Sequence, residues 1–555
     1  MSDIHHRLRA EVLDPDERNL SALVSKIERL HGEIAKHSPP GSTRIGEHTD
    51  IDYERDLDAV TVPSGPLPNH EALARVAHVF RGCVRWHDPR VMLNVSHAPL
   101  LNAIAASTMA ALYNVNAMWD FYSGEVVLHE RRISRFLTDR AGWDRRHAGG
   151  LSTFGGKATL MYAIKSGLNR CDRRAIERGV SAEHVVLTTS NNHYSLESVC
   201  NTLGLGKRAC VRARCHHNEE VDLDHLEYLM RRSLSAGKRI ACILLSGGST
   251  LDHNIDPVDE VWRMRERLVA EYDLDYRPHI HVDTVNGWVW LLFRDYDFAA
   301  NPLDLSPAVA AVCERAAARA AQIERADSFS ADFHKTGLCP YISSFYFARD
   351  FAEVRSLHEL DIDSSRPTEF GDEAVHGYSL ENSRPAAGVA SAWAMLSTLG
   401  VDGLRTYVTT LMSTGLHLRE LVRTDYGHQF EILNDYNNWH ATVIKPRFAA
   451  CDLSFAELLD APRARALHND IAAGFFRRYA LDQPGSAPLV GFIPRYKAEQ
   501  TDKPVAAFLL YPMSLYHDHA RSRALLAEFA DAMRAFEGEY AASQRQRRMA
   551  VIPPK

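Results

Sequence analysis

Between about residue 130 and residue 350, short apolar runs alternate with longer amphipathic stretches. The apolar runs are rich in Val, Ile, Leu and Phe, which favour β-strands. In the longer stretches the apolar residues recur every three or four positions, as on a helix with one buried face. This alternation predicts an α/β fold with a mostly parallel sheet and helices on both of its faces. The runs are HVVLTTS (184–190), ACVRAR (209–214), RIACILLSGG (239–248), HIHVDTV (279–285) and ISSFYFA (342–348), with helical stretches such as 222–237 and 258–272 between them.

The two ends of the chain have different patterns. Residues 1–130 contain a helical stretch at 20–37 and segments rich in Pro and Gly, which predict an irregular N-terminal arm rather than an independent domain. Residues 131–385 form the predicted large domain. Residues 386–555 start with a long helical stretch and continue as a mixture of strand and helix, which predicts a smaller α+β C-terminal domain.

Composition narrows the class of protein. The 555 residues exceed what one small core needs, and the net charge of −7 comes from nearly balanced acids and bases. No basic stretch indicates a nucleic-acid or membrane-surface partner, and no apolar run is long enough to span a bilayer. The first residues lack a signal-peptide pattern, so a cytoplasmic location is expected.

The cysteines do not indicate a metal site. There are nine, without a CxxC pair. Cys210, Cys215, His216 and His217 come nearest to a metal pattern, but they lack a second ligand pair at zinc-site spacing. We therefore expect reduced cysteines and no bound metal.

Polar residues follow several of the predicted strands, where ligands of open α/β sheets bind. Asp283 follows an apolar strand, so its carboxylate needs a cationic or hydrogen-bonding partner; a helix cap or a structural salt bridge would also satisfy it. Gly155 and Gly156 precede a helical pattern, an arrangement that can bind a phosphate or simply make a turn. His193 follows another strand, and it is either a site residue or an ordinary loop histidine.

The segment ADSFSADFHKTGLCPY (326–341) contains Lys335 directly after His334. A lysine is usually a solvated surface group, but this one lies among Ala, Phe and Leu. In chain order the candidates are a phosphate-binding turn, a histidine that could stack on a ring, an acid for a ring nitrogen and a lysine for an aldehyde. That order matches the needs of pyridoxal 5′-phosphate.

The chain resembles the group II pyridoxal-phosphate-dependent amino-acid decarboxylases of fold type I. The resemblance covers roughly residues 85–400 and is most specific at DSFSADFHK (327–335), with HVD ending 52 residues before the lysine. The segments YNVNAMWDFYSGEVVLHERRISRFL (113–137) and ENSRPAAGVASAW (381–393) are also similar to the family. The resemblance implies a fold type I architecture, with residues 131–385 as the domain that binds pyridoxal phosphate.

The resemblance also implies a role for each matching residue. Lys335 would bind the cofactor aldehyde, Asp283 would keep the ring nitrogen protonated, His193 would stack on the ring and Val285 would close its other face. His334 and Ser330 would join Gly156 and Lys157 around the phosphate, and Thr250 would place a hydroxyl near the cofactor. The pattern of the turn itself adds Gly155 and Ala158 to the phosphate cradle, with Thr153 and Thr159 as hydroxyl donors.

Three positions depart from the family pattern. Lys157 stands where many relatives have Ser or Thr, and Asp332 stands where the aromatic and glutamate enzymes have Asn. The family's mobile loop often supplies a tyrosine that protonates the substrate carbon. Here Tyr378 is the candidate donor, with His376 beside it, and Phe370 lies where the usual tyrosine would be.

The expected reaction is decarboxylation of an L-amino acid to a primary amine. The segments HVDTVNGWVWLLF (281–293) and HKTGLCPYISS (334–344) resemble the branch that acts on valine, leucine and methionine, so a neutral, apolar substrate is expected. A decarboxylating aldehyde synthase or another lyase of this fold is the alternative, and a non-catalytic cofactor-binding protein is a third. The resemblance further implies a homodimer, with TGLCPYISS (336–344) near the neighbouring active site.

Overall fold

The structure, a computed structural model, describes residues 3–38, 41–46, 51–58, 60–358, 373–482, 488–497 and 501–550. Twelve strands lie in this part of the chain. They are β1 (Val91–Met92), β2 (Gly149–Thr153), β3 (His184–Thr189), β4 (Cys210–Ala213), β5 (Arg239–Ser246), β6 (His279–Asp283), β7 (Ser328–Asp332), β8 (Ser344–Ala348), β9 (Phe430–Ile432), β10 (Thr442–Pro446), β11 (Leu489–Tyr496) and β12 (Val505–Leu510).

The α-helices of the described residues surround two sheets. They are α1 (Asp3–Ala10), α2 (Leu20–Lys36), α3 (Tyr53–Asp58), α4 (Asn69–Val79), α5 (Leu101–Leu112), α6 (Asp120–Ser123), α7 (Glu125–Arg140), α8 (Gly156–Cys171), α9 (Ala175–Arg178), α10 (Leu196–Thr202), α11 (Leu223–Ser235), α12 (Val258–Glu271), α13 (Pro307–Ala321), α14 (Phe333–Thr336), α15 (Phe351–Arg355), α16 (Ala387–Asp425), α17 (Phe455–Asp460), α18 (Pro462–Phe476) and α19 (His519–Ala550). Helix α16 is broken at Gly400, whose φ is +60°.

The larger sheet has seven strands in the order β2-β8-β7-β6-β5-β3-β4. The pairs from β7 through β4 are parallel, and β8 runs antiparallel to both of its neighbours. The predicted α/β fold with a mostly parallel sheet is therefore confirmed. All five predicted apolar runs contain strands of this sheet, and the two helical stretches are α11 and α12.

Successive residues of the central strands pack into different cores. Leu187 and Ile243 belong to one hydrophobic cluster, whereas their neighbours Val186 and Leu244 belong to another on the opposite face. A strand with both faces covered needs apolar residues at every position, which explains the continuous apolar runs.

Strands β2 and β7 were not among the predicted runs. Strand β7 reads SFSAD and is fully buried, but its serines and aspartate hide it from a search for apolar residues. Strand β2 reads GGLST, and glycines weaken a strand pattern. Both pair with β8, so tertiary contacts rather than local propensity determine them.

The smaller sheet has the order β1-β11-β12-β10-β9. Its strand β1 comes from the predicted N-terminal arm and pairs in parallel with β11. Trp439 and Tyr511, from the predicted C-terminal domain, lie in the same hydrophobic cluster as the large sheet. The two parts of the chain thus share one core, and the division of the chain at residues 130 and 385 stays a prediction.

In the described residues, no helix is long and apolar enough to cross a membrane. The cytoplasmic location stays a prediction. All nine cysteines are free.

Candidate active site

Lys335 lies just beyond the carboxyl end of β7, in the short helix α14. Its neighbours anchor this helix: the Thr336 hydroxyl donates to the carbonyl of Asn286 at 3.0 Å, and the Phe333 ring packs on Trp288 at 4.7 Å. The Lys335 side chain is largely buried, and its Nζ is 3.1 Å from Oδ2 of Asp332. The lysine therefore lies mostly buried beside a carboxylate at the sheet edge rather than on the solvated surface.

Asp283 ends the neighbouring strand β6 and is buried. Its Oδ1 accepts a hydrogen bond from the Ser330 hydroxyl at 3.1 Å and a longer one from the backbone N–H of Val285 at 3.4 Å. Burial raises the pKa of Asp283, while the positive charge of Lys335 opposes that rise. The partners that the sequence required for this carboxylate are thus present. The Ser330 hydroxyl, expected near a phosphate, is engaged by Asp283.

His193 follows β3, and its ring is held in one orientation. Its Nδ1 accepts from the backbone N–H of Ser195 at 3.2 Å and contacts the Ser195 hydroxyl at 2.7 Å. An Nδ1 that accepts leaves the ring proton on Nε2. Burial lowers the pKa of His193, and Asp283 opposes that change. The ring is therefore a neutral imidazole near Asp283.

His334 is held in the same way. Its Nδ1 accepts from the backbone N–H of Ser343 at 3.1 Å, and its Nε2 lies 3.5 Å from Oδ2 of Asp332. Burial lowers the pKa of His334. A neutral ring with its proton on Nε2 therefore faces the Asp332 carboxyl.

The glycine turn lies against the same cluster. Helix α8 begins at Gly156, and Gly155 before it has a φ of +135°, which favours glycine. A Cβ on Gly156 would come within 2.9 Å of Oδ2 of Asp332 and 3.2 Å of Cγ1 of Val285. A Cβ on Gly155 would meet nothing within 4 Å. Open space therefore lies beside Gly155, at the start of a helix whose first N–H groups lack the usual partner four residues earlier.

The other side chains of the turn support its backbone. The Thr153 hydroxyl donates to the carbonyl of Gly155 at 3.2 Å, and the Thr159 hydroxyl donates to that of Gly156 at 2.7 Å. Lys157 is exposed and donates to the Ser198 hydroxyl on α10 at 2.8 Å. The two threonines therefore stabilise the turn itself, and a phosphate contact by Lys157 would require its ammonium to leave Ser198.

These residues fit pyridoxal phosphate. The turn offers backbone N–H groups and has no room for a Cβ at Gly156, as a phosphate cradle requires. Val285 lies at the turn, while His193, Asp283 and Lys335 interact electrostatically with one another. Asp332 is the exception, because its acidic side chain lies against Gly156 of the turn that would hold the phosphate.

Tyr378 lies in another environment. It is buried, and its hydroxyl donates to Oε1 of Glu373 at 2.7 Å and contacts the guanidinium of Arg131. Burial raises its pKa. Its role as proton donor stays a prediction and would require this cluster to open. His376 bonds the carbonyl of Met118, and Phe370 lies outside the described residues.

Thr250 lies in the turn after β5, half-exposed. The same loop contains His253, a residue that the sequence did not indicate. Its ring is fully buried and stacks on Trp439 at 4.0 Å with an interplanar angle of 5°. Burial and the charge of Lys335 lower its pKa. The stacking joins the loop after β5 to a residue almost 190 positions later in the chain, so no local pattern could reveal it.

Comparisons with known proteins agree with this geometry. The pyridoxal-dependent decarboxylase conserved domain matches residues 52–444. The chain belongs to this family. It is 22% identical to the L-2,4-diaminobutyrate decarboxylase of Acinetobacter baumannii over 60% of this chain and 63% of that protein. It is 25% identical to the L-tyrosine decarboxylase of Levilactobacillus brevis over 44% of this chain and 41% of that protein.

Both of these alignments span less than two thirds of the relative's length. Among solved structures, mouse CSAD in its apo form has a TM-score of 0.75 at 17% identity, with 92% of this chain and 99% of that chain covered. At this identity the likeness shows the fold, which confirms the predicted fold type I. The predicted cofactor, pyridoxal phosphate, agrees with the family.

Proposed function

We propose that the protein decarboxylates an L-amino acid to the primary amine and CO2 with pyridoxal phosphate. The observation that carries the proposal is the buried Lys335 at the edge of the large sheet, with Asp283 ending the next strand and the Gly156 turn against the same cluster. The chain belongs to the pyridoxal-dependent decarboxylase family, and this membership indicates the chemistry that these residues would perform.

When bound, pyridoxal phosphate supplies an electron-accepting ring for the carbon that loses CO2. The chain's residues prepare that ring. Asp283 would hold a proton at the ring nitrogen, because a carboxylate beside a pyridinium stabilises the charged form. Ser330 orients Asp283 through its 3.1 Å hydrogen bond, and Lys335 would hold the cofactor covalently between turnovers. His193 and Val285 would restrict the ring from its two faces.

We propose a neutral, apolar substrate side chain. The proposal is supported by the likeness of residues 281–293 and 334–344 to the valine, leucine and methionine branch. The names of the two relatives above, which point to diaminobutyrate and tyrosine, define the competing hypotheses.

Product analysis tests both parts. The purified, cofactor-loaded protein would be incubated with leucine, methionine, valine, glutamate, lysine, 2,4-diaminobutyrate and tyrosine, and the amines would be identified by mass spectrometry. We expect amines from the apolar group. A strong preference for a charged amino acid or for tyrosine would overturn the apolar assignment, and the absence of any amine would overturn decarboxylation to an amine.

An aldehyde-forming reaction is the second candidate, because the Tyr378 hydroxyl is engaged by Glu373 and Arg131. If the substrate carbon is not protonated, oxidation by O2 with water would give an aldehyde, ammonia, CO2 and hydrogen peroxide. Consumption of O2 with matching peroxide would favour this candidate, and an amine without O2 consumption would exclude it.

We also propose a homodimer. Phe154, Tyr194, Tyr341 and Ile342 are exposed apolar residues that lie close in sequence to Gly155, His193 and Lys335. No residue of helix α2 in the N-terminal arm is fully buried, and its apolar Val24 and Ile27 are exposed. A second copy of the chain would cover such surfaces. Light scattering on the eluting protein should give twice the 62.3 kDa chain mass; a monomer would refute the proposal.

A further inference from the structure

Asp332 lies between Lys335 and the glycine turn. Its Oδ1 accepts a hydrogen bond from the Ser344 hydroxyl at 2.5 Å. Its Oδ2 faces Nζ of Lys335 at 3.1 Å, and the position of a Cβ on Gly156 lies 2.9 Å from the same oxygen. Oδ2 is buried and accepts no well-aligned hydrogen bond from the described residues. One oxygen therefore lies next to both the Lys335 amine and the glycine turn that would hold the phosphate.

Lys335 is the cationic partner of Asp332 among the titratable groups that the structure describes around it. Among the described residues, four titratable side chains face Asp332: Lys335 and His334 from α14, Asp283 from β6 and His193 from the segment after β3. Burial lowers the pKa of both histidines, so they are neutral neighbours at neutral pH. When Lys335 loses its charge, an ionised Asp332 would remain buried beside a phosphate without a cationic partner, which is unfavourable.

We propose that Asp332 accepts the proton of the Lys335 ammonium during cofactor loading and keeps it, as a neutral carboxyl that donates a hydrogen bond toward the phosphate. This inference rests on the proposed function. One proton moves from Nζ of Lys335 to Oδ2 of Asp332. Lys335 then bonds the aldehyde carbon and releases water, formed from the aldehyde oxygen and the two hydrogens left on Nζ.

The proposal explains how an acidic residue can occupy this position. A neutral carboxyl has an O–H donor, whereas a carboxylate only accepts. Asparagine also donates without a charge, but it cannot take a proton from a lysine. The Asp332→Asn variant therefore separates the two roles, since it keeps the size and the donor and removes the acceptor.

The first experiment measures formation of the bond between Lys335 and pyridoxal phosphate by stopped-flow absorbance at several pH values. A lysine in water is charged at neutral pH, and its free amine increases about tenfold per pH unit. We expect the wild-type rate constant to vary little between pH 6.5 and 9. In Asp332→Asn it should be slower at pH 7 and rise by up to about tenfold per pH unit. Asp224→Asn, an exposed acid on α11, is the matched control and should behave as wild type.

The second experiment measures the Kd of pyridoxine 5′-phosphate, which has the ring and phosphate but no aldehyde. Asp332→Asn should bind it within about threefold of wild type or more tightly, since asparagine offers the phosphate a neutral donor and removes the charge of a carboxylate. Parallel pH–rate profiles of wild type and Asp332→Asn would refute the proton-acceptor role. A more than tenfold loss of pyridoxine 5′-phosphate binding in Asp332→Asn would show that the carboxylate itself is needed, and would refute the neutral carboxyl.

These outcomes are distinct from failure of the proposed function. If pyridoxal phosphate bonds to Lys335 but no amino acid is decarboxylated, only the proposed function fails, and the rate comparison still decides the role of Asp332. If wild type binds neither compound, both proposals are refuted.

Discussion

The most consequential structural prediction concerns the ion pair between Arg384 and Glu130. Both side chains are buried, and Nη2 of Arg384 lies 2.5 Å from Oε1 of Glu130. The same guanidinium donates to the carbonyls of Ala117 and Ser152, each at 2.9 Å. Glu130 also accepts a hydrogen bond from the backbone N–H of Ser152 at 2.7 Å. The pair thus joins α7, β2 and the segment before α16 directly behind the glycine turn.

Replacing Arg384 by Met leaves the buried Glu130 carboxylate without its paired guanidinium and leaves the carbonyls of Ala117 and Ser152 without this donor. Removing one partner of a buried ion pair costs about 3–5 kcal/mol. Arg384→Met should therefore lower the free energy of unfolding by about that amount. Burial raises the pKa of Glu130, but Arg384, together with Arg131 and the hydrogen bond from Ser152, outweighs that effect, so the net pKa is lowered. The contribution of the pair is thus present above the ordinary glutamate pKa and is lost as the pH falls below it.

Urea titration of the apoprotein, followed by tryptophan fluorescence, measures the change, with Glu130→Met and the double variant completing a mutant cycle. Because the double variant buries no uncompensated charge, it should lose about 2–3 kcal/mol less than the sum of the two single variants. If Arg384→Met stays within about 1 kcal/mol of wild type, or if the single effects simply add, then the pair is not a buried, coupled interaction.

Three further predictions concern single positions. Asp283→Ala should fold like wild type in circular dichroism but lose activity by about 100-fold or more, since it removes the charge that stabilises the ring cation; near-normal turnover would contradict its assigned role. Gly156→Ala should weaken pyridoxal phosphate binding by about 1–3 kcal/mol, because the new Cβ would lie 2.9 Å from Oδ2 of Asp332. Gly32→Ala is the control, because a Cβ at Gly32 has no neighbour within 4 Å. Equal affinities of Gly156→Ala and wild type for the cofactor would refute the close contact. Asp327→Asn should destabilise the protein by about 3–5 kcal/mol near neutral pH. Burial raises the pKa of Asp327, but its arginine partners hold that pKa well below the ordinary value. The difference in unfolding free energy between wild type and Asp327→Asn should therefore shrink as the pH falls below about 4. A difference that does not change with pH would argue against the ion pairs.

Local patterns were sufficient for the elements with a strong apolar period. The five apolar runs became strands β3, β4, β5, β6 and β8 because a sheet covered on both faces requires apolar residues at every position. Local patterns were insufficient for β7, because its buried residues are largely polar and belong to the site itself. Hydrophobicity therefore could not reveal the strand that leads to Lys335, although it did reveal β6, which ends at Asp283.

The sequence by itself determined the site candidates that follow strands, namely Lys335, Asp283, His193 and the Gly155–Gly156 turn, because short motifs place polar residues at the sheet edge. Only the tertiary structure decided which groups they meet. Asp332 pairs with Lys335, Ser330 binds Asp283, and His253 stacks on Trp439. Such pairs join residues that are distant in sequence or depend on side-chain direction, and the packing of the two sheets brings them together.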